Sequence, residues 1–125
     1  MEKLTFAMEN YLEAIFELSS DGGGAHISDI AKKMNVTKAS TNSAMATLAE
    51  KGLIVNEKYK EVYLTAEGRT VAEFTSRKHQ TILRFFTQVL NIRTVVADTD
   101  ACAIEHVISN DSIAAMRRYM DNLST

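Results

Sequence analysis

The run from Ile27 to Leu64, ISDIAKKMNVTKASTNSAMATLAEKGLIV followed by NEKYKEVYL, restricts what this chain can fold into more than any other stretch. Ile27, Ile30, Ala31 and Met34 recur at helical spacing, Val36-Thr37 interrupts them, and Ala44, Met45, Leu48 and Ala49 resume the pattern. That order predicts helix, short turn, helix. Gly52 follows the second stripe, where a helix end often needs a residue at ease in the left-handed conformation. Two β-rich runs come next, Ile54 to Asn56 and Val62 to Leu64, and the polar link Glu57-Lys58-Tyr59-Lys60 makes them a hairpin, or wing.

The first turns of the second helix, TKASTNS, offer small hydroxyls and an amide where bulky hydrophobes would be useless to a polar partner. Thr37, Lys38, Ser40, Asn42 and Ser43 are suited to bases or phosphates, and the methyl of Ala39 to a thymine. Lys58 and Lys60 at the wing tip suit phosphates beside the groove, with Tyr59 as a donor between them. The bland alternative is an alanine-rich helix with a solvated face, and helix-turn-helix units also serve protein contacts.

A formal net charge of −2 over 125 residues argues against nucleic acid only if the charge is evenly spread, and it is not. Lys32 to Lys60 holds six lysines against Glu50 and Glu57, whereas Met1 to Ala31 holds Lys3 against six acidic residues. A basic reading surface beside an acidic first helix is a workable layout for a cation-dependent DNA binder. The length permits one domain or two small units, and an apolar fraction of 46% with 24% charged residues fits an ordinary globular protein. No apolar run approaches the roughly 20 residues that span a bilayer, and the charged N-terminus is unlike a signal peptide, so the expected location is cytoplasmic.

Leu4, Ala7, Met8, Tyr11, Leu12, Ile15 and Phe16 predict an amphipathic first helix, with Asn10 and Glu13 on another face that reads most simply as solvated. A loop of serine, aspartate and glycine follows, and His26 beyond it reads as a surface or packing residue. After the wing, Thr65 is a plausible N-cap for a long helix reaching about Leu90, with Gly68 tolerated near its start. Asp98-Thr99-Asp100 can cap a helix through Ala101, Cys102, Ile104, Glu105, Val107 and Ile108. Asn110-Asp111-Ser112 starts the last one. These C-terminal helices carry more apolar surface than a winged helix needs to cover its own core, and dimerisation is the natural outlet.

Cys102, Glu105 and His106 stand at i, i+3 and i+4, so a helix presents thiolate, carboxylate and imidazole in one arc able to bind a divalent transition ion. A single cysteine forms no internal disulfide, which leaves a buried small residue, a reactive thiol or a ligand. His79, alone among apolar neighbours, reads as a packed residue as readily as a ligand.

The segments DACAIEHVIS, RKHQTILRFF and AMENYLEAIF, taken with the helix-turn-helix and wing, are where the chain resembles the diphtheria-toxin-repressor family of metal-dependent transcriptional regulators. The resemblance spans essentially the whole length. It implies a mainly α fold, with a winged helix-turn-helix at residues 1–70 and a helical dimerisation and metal-binding domain at 71–125. It also implies that Cys102, Glu105 and His106 are metal ligands, as in iron-type members, and that Glu13 and His79 match ligands of the manganese type. Asn10 falls where the iron type has methionine and the manganese type aspartate. Leu83 replaces an iron-type glutamate of a second site. The implied protein is a short two-part regulator lacking the SH3-like domain of many iron-type members.

The expectation is therefore a cytoplasmic, homodimeric repressor of metal homeostasis, without enzymatic chemistry. It would bind double-stranded palindromic operator DNA when loaded with Fe(II) in preference to Mn(II), with other divalent transition metals competing in vitro. The alternatives are a winged-helix regulator with a redox or small-molecule input through Cys102, a metalloenzyme with an open coordination position, and a binding module with neither metal nor DNA.

Overall fold

A computed structural model describes residues 4–19, 23–57 and 61–123. The wing-tip residues Lys58, Tyr59 and Lys60 lie outside the described residues. The chain divides into two compact units, Met1–Glu73 and Phe74–Thr125, with the division falling inside one helix. No helix among the described residues is long and apolar enough to cross a membrane.

The first unit is a winged helix-turn-helix. Helix α1 (Phe6–Leu18) starts where the Thr5 hydroxyl accepts the Met8 amide at 3.2 Å. Helix α2 (Ile27–Met34) ends at Asn35, which takes the left-handed conformation with φ 57°. Asparagine tolerates that conformation better than most residues, and it lets the chain turn sharply into α3 (Lys38–Glu50). Gly52 has φ 77°, as its place after α3 requires. Strands β1 (Ile54–Asn56) and β2 (Val62–Leu64) pair antiparallel, Val55 opposite Tyr63, and fall on the residues the β-rich runs predict. Their inner residues join a core of Leu12, Ile15, Ile30, Met45, Leu48, Ile54 and Val62. Each fully buried Leu or Ile there contributes about 1.5–3 kcal/mol relative to exposure.

Two local features of this unit are not foreseen from the pattern. Ala25 pairs with Val62 through mutual 2.8 Å backbone bonds, adding a short third edge to the wing. Gly68 is needed rather than tolerated, because a Cβ there would stand 1.9 Å from the Leu53 carbonyl oxygen. Thr65 caps its helix as expected, accepting the Gly68 amide at 3.1 Å while donating to the Gly52 carbonyl at 2.8 Å.

Helix α4 (Ala66–Arg84) makes up most of the long helical run predicted to reach about Leu90. A π-helical turn over Phe85–Val89 finishes it, and Asn91 at φ 56° then turns the chain. Helix α5 runs Thr94–Ile104, so Asp98-Thr99-Asp100 does not cap it but lies within it. The left-handed turn at Asn91 frees the chain to begin a helix at Thr94, and Ala97, Ala101 and Ile104 form its inward stripe. Helix α6 (Asn110–Leu123) is capped by Ser109, whose hydroxyl accepts the Ser112 amide at 3.1 Å. Ile82, Ala101 and Ile113 make the core of this unit, with Phe86, Ile104, Ile108 and Met116 against it.

Candidate metal centre and nucleic-acid interface

The face of α3 follows directly from its burial pattern. Thr41, Met45 and Leu48 point into the core, which leaves Lys38, Ala39, Ser40, Asn42 and Ser43 exposed along the first two turns. Thr37 is exposed too, but its hydroxyl is already used. It accepts the Ser40 amide at 3.0 Å and donates to the Ser40 hydroxyl at 3.1 Å, and Thr37 is thus the N-cap of α3. Elsewhere in the unit Glu61, next to β2, fastens the chain before α2. One oxygen accepts the Gly24 amide at 2.9 Å and the other lies 3.5 Å from His26 Nε2.

In the second unit His79, on α4, meets two carboxylates. Its Nδ1 is 2.9 Å from Glu105 Oε2 and 3.8 Å from Cys102 Sγ, and its Nε2 is 2.8 Å from Asp98 Oδ1. A neutral imidazole has one N–H, so only the protonated ring donates to both carboxylates; a divalent cation beside one nitrogen would supply the positive charge instead. The other oxygen of Glu105 lies 3.3 Å from His106 Nε2. Glu105 is fully buried and His106 nearly so, while Asp98 and Cys102 reach solvent.

The chain holds this cluster by simple means. Asp98 and Cys102 are four apart on α5, and Glu105 and His106 continue the same face through the turn that ends the helix. The expected helix through Ile108 stops at Ile104, but the amides of Glu105 and Ile108 still bond Ala101 and Ile104, and this tight turn preserves the arc. Lys78, next to His79, donates to the Ile108 carbonyl at 3.3 Å, tying that turn to α4. Arg117 of α6 donates to the Thr81 hydroxyl at 3.1 Å one turn further along.

The donor set fits a transition ion. Glu105 Oε2 and Cys102 Sγ stand 2.9 and 3.8 Å from His79 Nδ1. Ligand atoms at about 2.0–2.3 Å from one ion stand about 3–4.5 Å apart, so small side-chain rotations would close the group. Of the predicted ligands, His79, Cys102, Glu105 and His106 are brought together in the second unit. Asn10 and Glu13 sit half-buried on α1 of the first unit, three residues apart. The contact of Asp98 with His79 Nε2 is not anticipated from the sequence, although its place four residues before Cys102 puts it on the same helical face.

A DNA-reading winged helix followed by helices that converge thiolate, imidazole and carboxylate is the layout of a metal-dependent transcriptional regulator. Residues 3–62 match the iron dependent repressor N-terminal DNA-binding domain, and residues 65–125 match the iron dependent repressor metal-binding and dimerisation domain. The chain belongs to this family, that of the diphtheria toxin repressor. It is 31% identical over 112 residues to the transcriptional regulator MntR of Escherichia coli, covering 90% of this chain and 72% of that one. It is 28% identical over 124 residues to the diphtheria toxin repressor of Corynebacterium diphtheriae, covering 99% of this chain and 55% of the repressor. The solved structure of the manganese regulator SloR superposes with a TM-score of 0.80 at 26% identity, over 91% of this chain and 53% of that chain. The chain thus spans about half the length of the last two relatives. These matches support the metal-dependent reading over a redox input through Cys102.

Proposed function

We propose that this protein is a cytoplasmic, homodimeric repressor that binds a palindromic operator when Fe(II) or Mn(II) is bound, and so adjusts the supply of that metal. The observation that carries the reading is the convergence of His79, Cys102, Glu105 and His106 in one cluster. These four, all of the second unit, would hold the ion. The bound ion supplies a double positive charge and directional bonds that favour one arrangement of its ligands. Lys38, Ala39, Ser40, Asn42 and Ser43 present the reading face, and Lys58, Tyr59 and Lys60 anchor the phosphates beside it. Two copies related by a two-fold axis would place two such helices in successive major grooves.

Cys102 tilts the choice of metal. A soft thiolate beside two imidazoles favours Fe(II) over Mn(II), with Co(II), Ni(II) and Zn(II) binding more tightly in vitro. Replacing Cys102 by Glu hardens the donor set and is expected to move the preference towards Mn(II). The test selects duplexes from a randomised pool with protein that has been dialysed against chelator and then loaded anaerobically with Fe(II), with Mn(II), or with neither. Selection of a palindrome by loaded protein alone, by a dimer that persists without metal, is the expected result. Equal affinity for the selected duplex with chelator and with saturating metal would sink the metal-linked reading.

A further inference from the structure

Both ring nitrogens of His79 face a carboxylate oxygen, Nδ1 facing Glu105 Oε2 at 2.9 Å and Nε2 facing Asp98 Oδ1 at 2.8 Å. The two ring nitrogens diverge, so one ion can accept a lone pair from only one of them. Seated at Nδ1, an ion has Glu105 and Cys102 as neighbouring donors, at 2.9 and 3.8 Å from that nitrogen. Those separations suit ligands sharing an ion, for which about 3–4 Å is expected between adjacent donors. Seated at Nε2, it has Asp98 alone within hydrogen-bonding distance of that nitrogen among the described residues, on the solvent side of the ring. The geometry points to Nδ1 as the ligating atom.

From this we infer that Asp98 is a positioning residue, accepting the Nε2 proton of His79 so that the Nδ1 lone pair is kept free and aimed at the metal. A carboxylate behind a ligating histidine fixes the tautomer and ring orientation and makes the imidazole a better donor. Asp98 has the right placement, since α5 carries it one turn before Cys102 and the same helix thereby provides both a ligand and the support for a ligand on α4. Being half exposed, it is replaceable in part by water. The expected effect of losing it is therefore the lower part of the range seen for such partners, about tenfold in metal affinity.

The inference rests on the metal-centre reading above, and the experiment separates the two. Calorimetry with Co(II) is run on the full chain and on Asp98→Ala and Asp98→Asn, beside ¹⁵N-histidine spectra of Cd(II)-loaded samples. The expected result is cadmium coupling to His79 Nδ1 and a slowly exchanging Nε2 proton in the parent. Asp98→Ala should lose that slow exchange and about tenfold in affinity, at unchanged stoichiometry and with the thiolate-to-Co(II) absorption intact at saturation. Asp98→Asn, whose amide oxygen still accepts the proton, should fall between. Coupling to Nε2, or one fewer ion bound by Asp98→Ala, would make Asp98 a ligand and overturn the inference. Equal affinities in all three proteins would do the same while leaving the metal centre standing. A parent chain that binds neither Co(II) nor Cd(II) would remove both.

Discussion

Both units bury apolar side chains, but among the described residues the second buries a carboxylate and an imidazole with them. In the first, Leu12, Ile15, Ile30, Met45, Leu48 and Val62 are fully hidden, and the polar first turns of α3 face outward. In the second, the fully buried set includes Glu105 alongside Ile82, Ala97 and Ala101, while Val95, Leu90, Val107, Tyr119 and Leu123 are exposed. A hydrophobic core is sufficient for its own stability, because water leaves and nothing else need arrive. A buried carboxylate costs several kcal/mol, on the order of that for any ion, unless it is well paired, and uncovered apolar helices gain only when something covers them. The first unit is thus built to stay folded and present a surface. The second, with a carboxylate buried in its core, is expected to change in stability with what it binds.

The largest effect that tests this contrast is expected in the first unit. Leu48 is fully buried between α1, α2 and the wing, so Leu48→Ala should cost about 2–5 kcal/mol. Urea denaturation followed by hydrogen exchange in α1 to α3 measures it, and a loss well below that range would mean the core is looser than its burial implies. The metal affinity of the second unit, measured by calorimetry below the onset of unfolding, should hardly change.

The second unit should respond to metal instead. At a free metal concentration about a hundred times Kd, binding only the folded form adds about 2.7 kcal/mol. The slowing of exchange should concentrate at the α5 amides of Ala97 and Ala101 and leave Met45 and Leu48 nearly unchanged. Equal slowing in both units would erase the contrast. No slowing in either would deny that the cluster binds.

How far this was legible differs between the units for a physical reason. Apolar spacing reports burial, and it located α1 to α3 and both strands because that unit is organised by burial. Gly68 escaped it, since a glycine required by the approach of Leu53 looks in sequence like one that is merely allowed. In the second unit the start of α5 follows the left-handed turn at Asn91 rather than a capping residue, and Asp98 therefore read as a cap. Cys102, Glu105 and His106 were visible through their spacing. The meeting of His79 with Asp98 depends on two helices packing together, and no spacing within one segment contains that.

Effects on DNA reading are expected to be smaller. Asn42→Ala, or a bulkier residue at Ala39, should shift preference at one base position by about 1–3 kcal/mol. Lys58→Ala or Lys60→Ala should weaken all sequences alike and lower the salt slope by about one phosphate contact. Selections on randomised half-sites, repeated at two salt concentrations, separate the two outcomes. Unchanged preference after altering both Ala39 and Asn42 would move base reading off this face of α3.

Thr37 should give the smallest effect and the sharpest distinction, because sequence alone grouped it with the reading residues. Its hydroxyl proton is directed at Ser40 Oγ and one lone pair receives the Ser40 amide, while its carbonyl accepts both the amide and the hydroxyl of Thr41 at 3.1 and 3.0 Å. A hydroxyl so engaged starts α3 and has little left for a base. Thr37→Ala should lose about 1 kcal/mol of stability, the usual worth of such a cap. The frayed first turn should weaken binding to every operator sequence by a similar factor, without altering preference. Thr37→Ser keeps the capping oxygen and should restore both stability and affinity. If Thr37→Ser is as stable as the parent yet changes the preferred base at one position, the methyl of Thr37 reads that base, and the border between scaffold and reading surface lies one residue earlier than its hydrogen bonds imply.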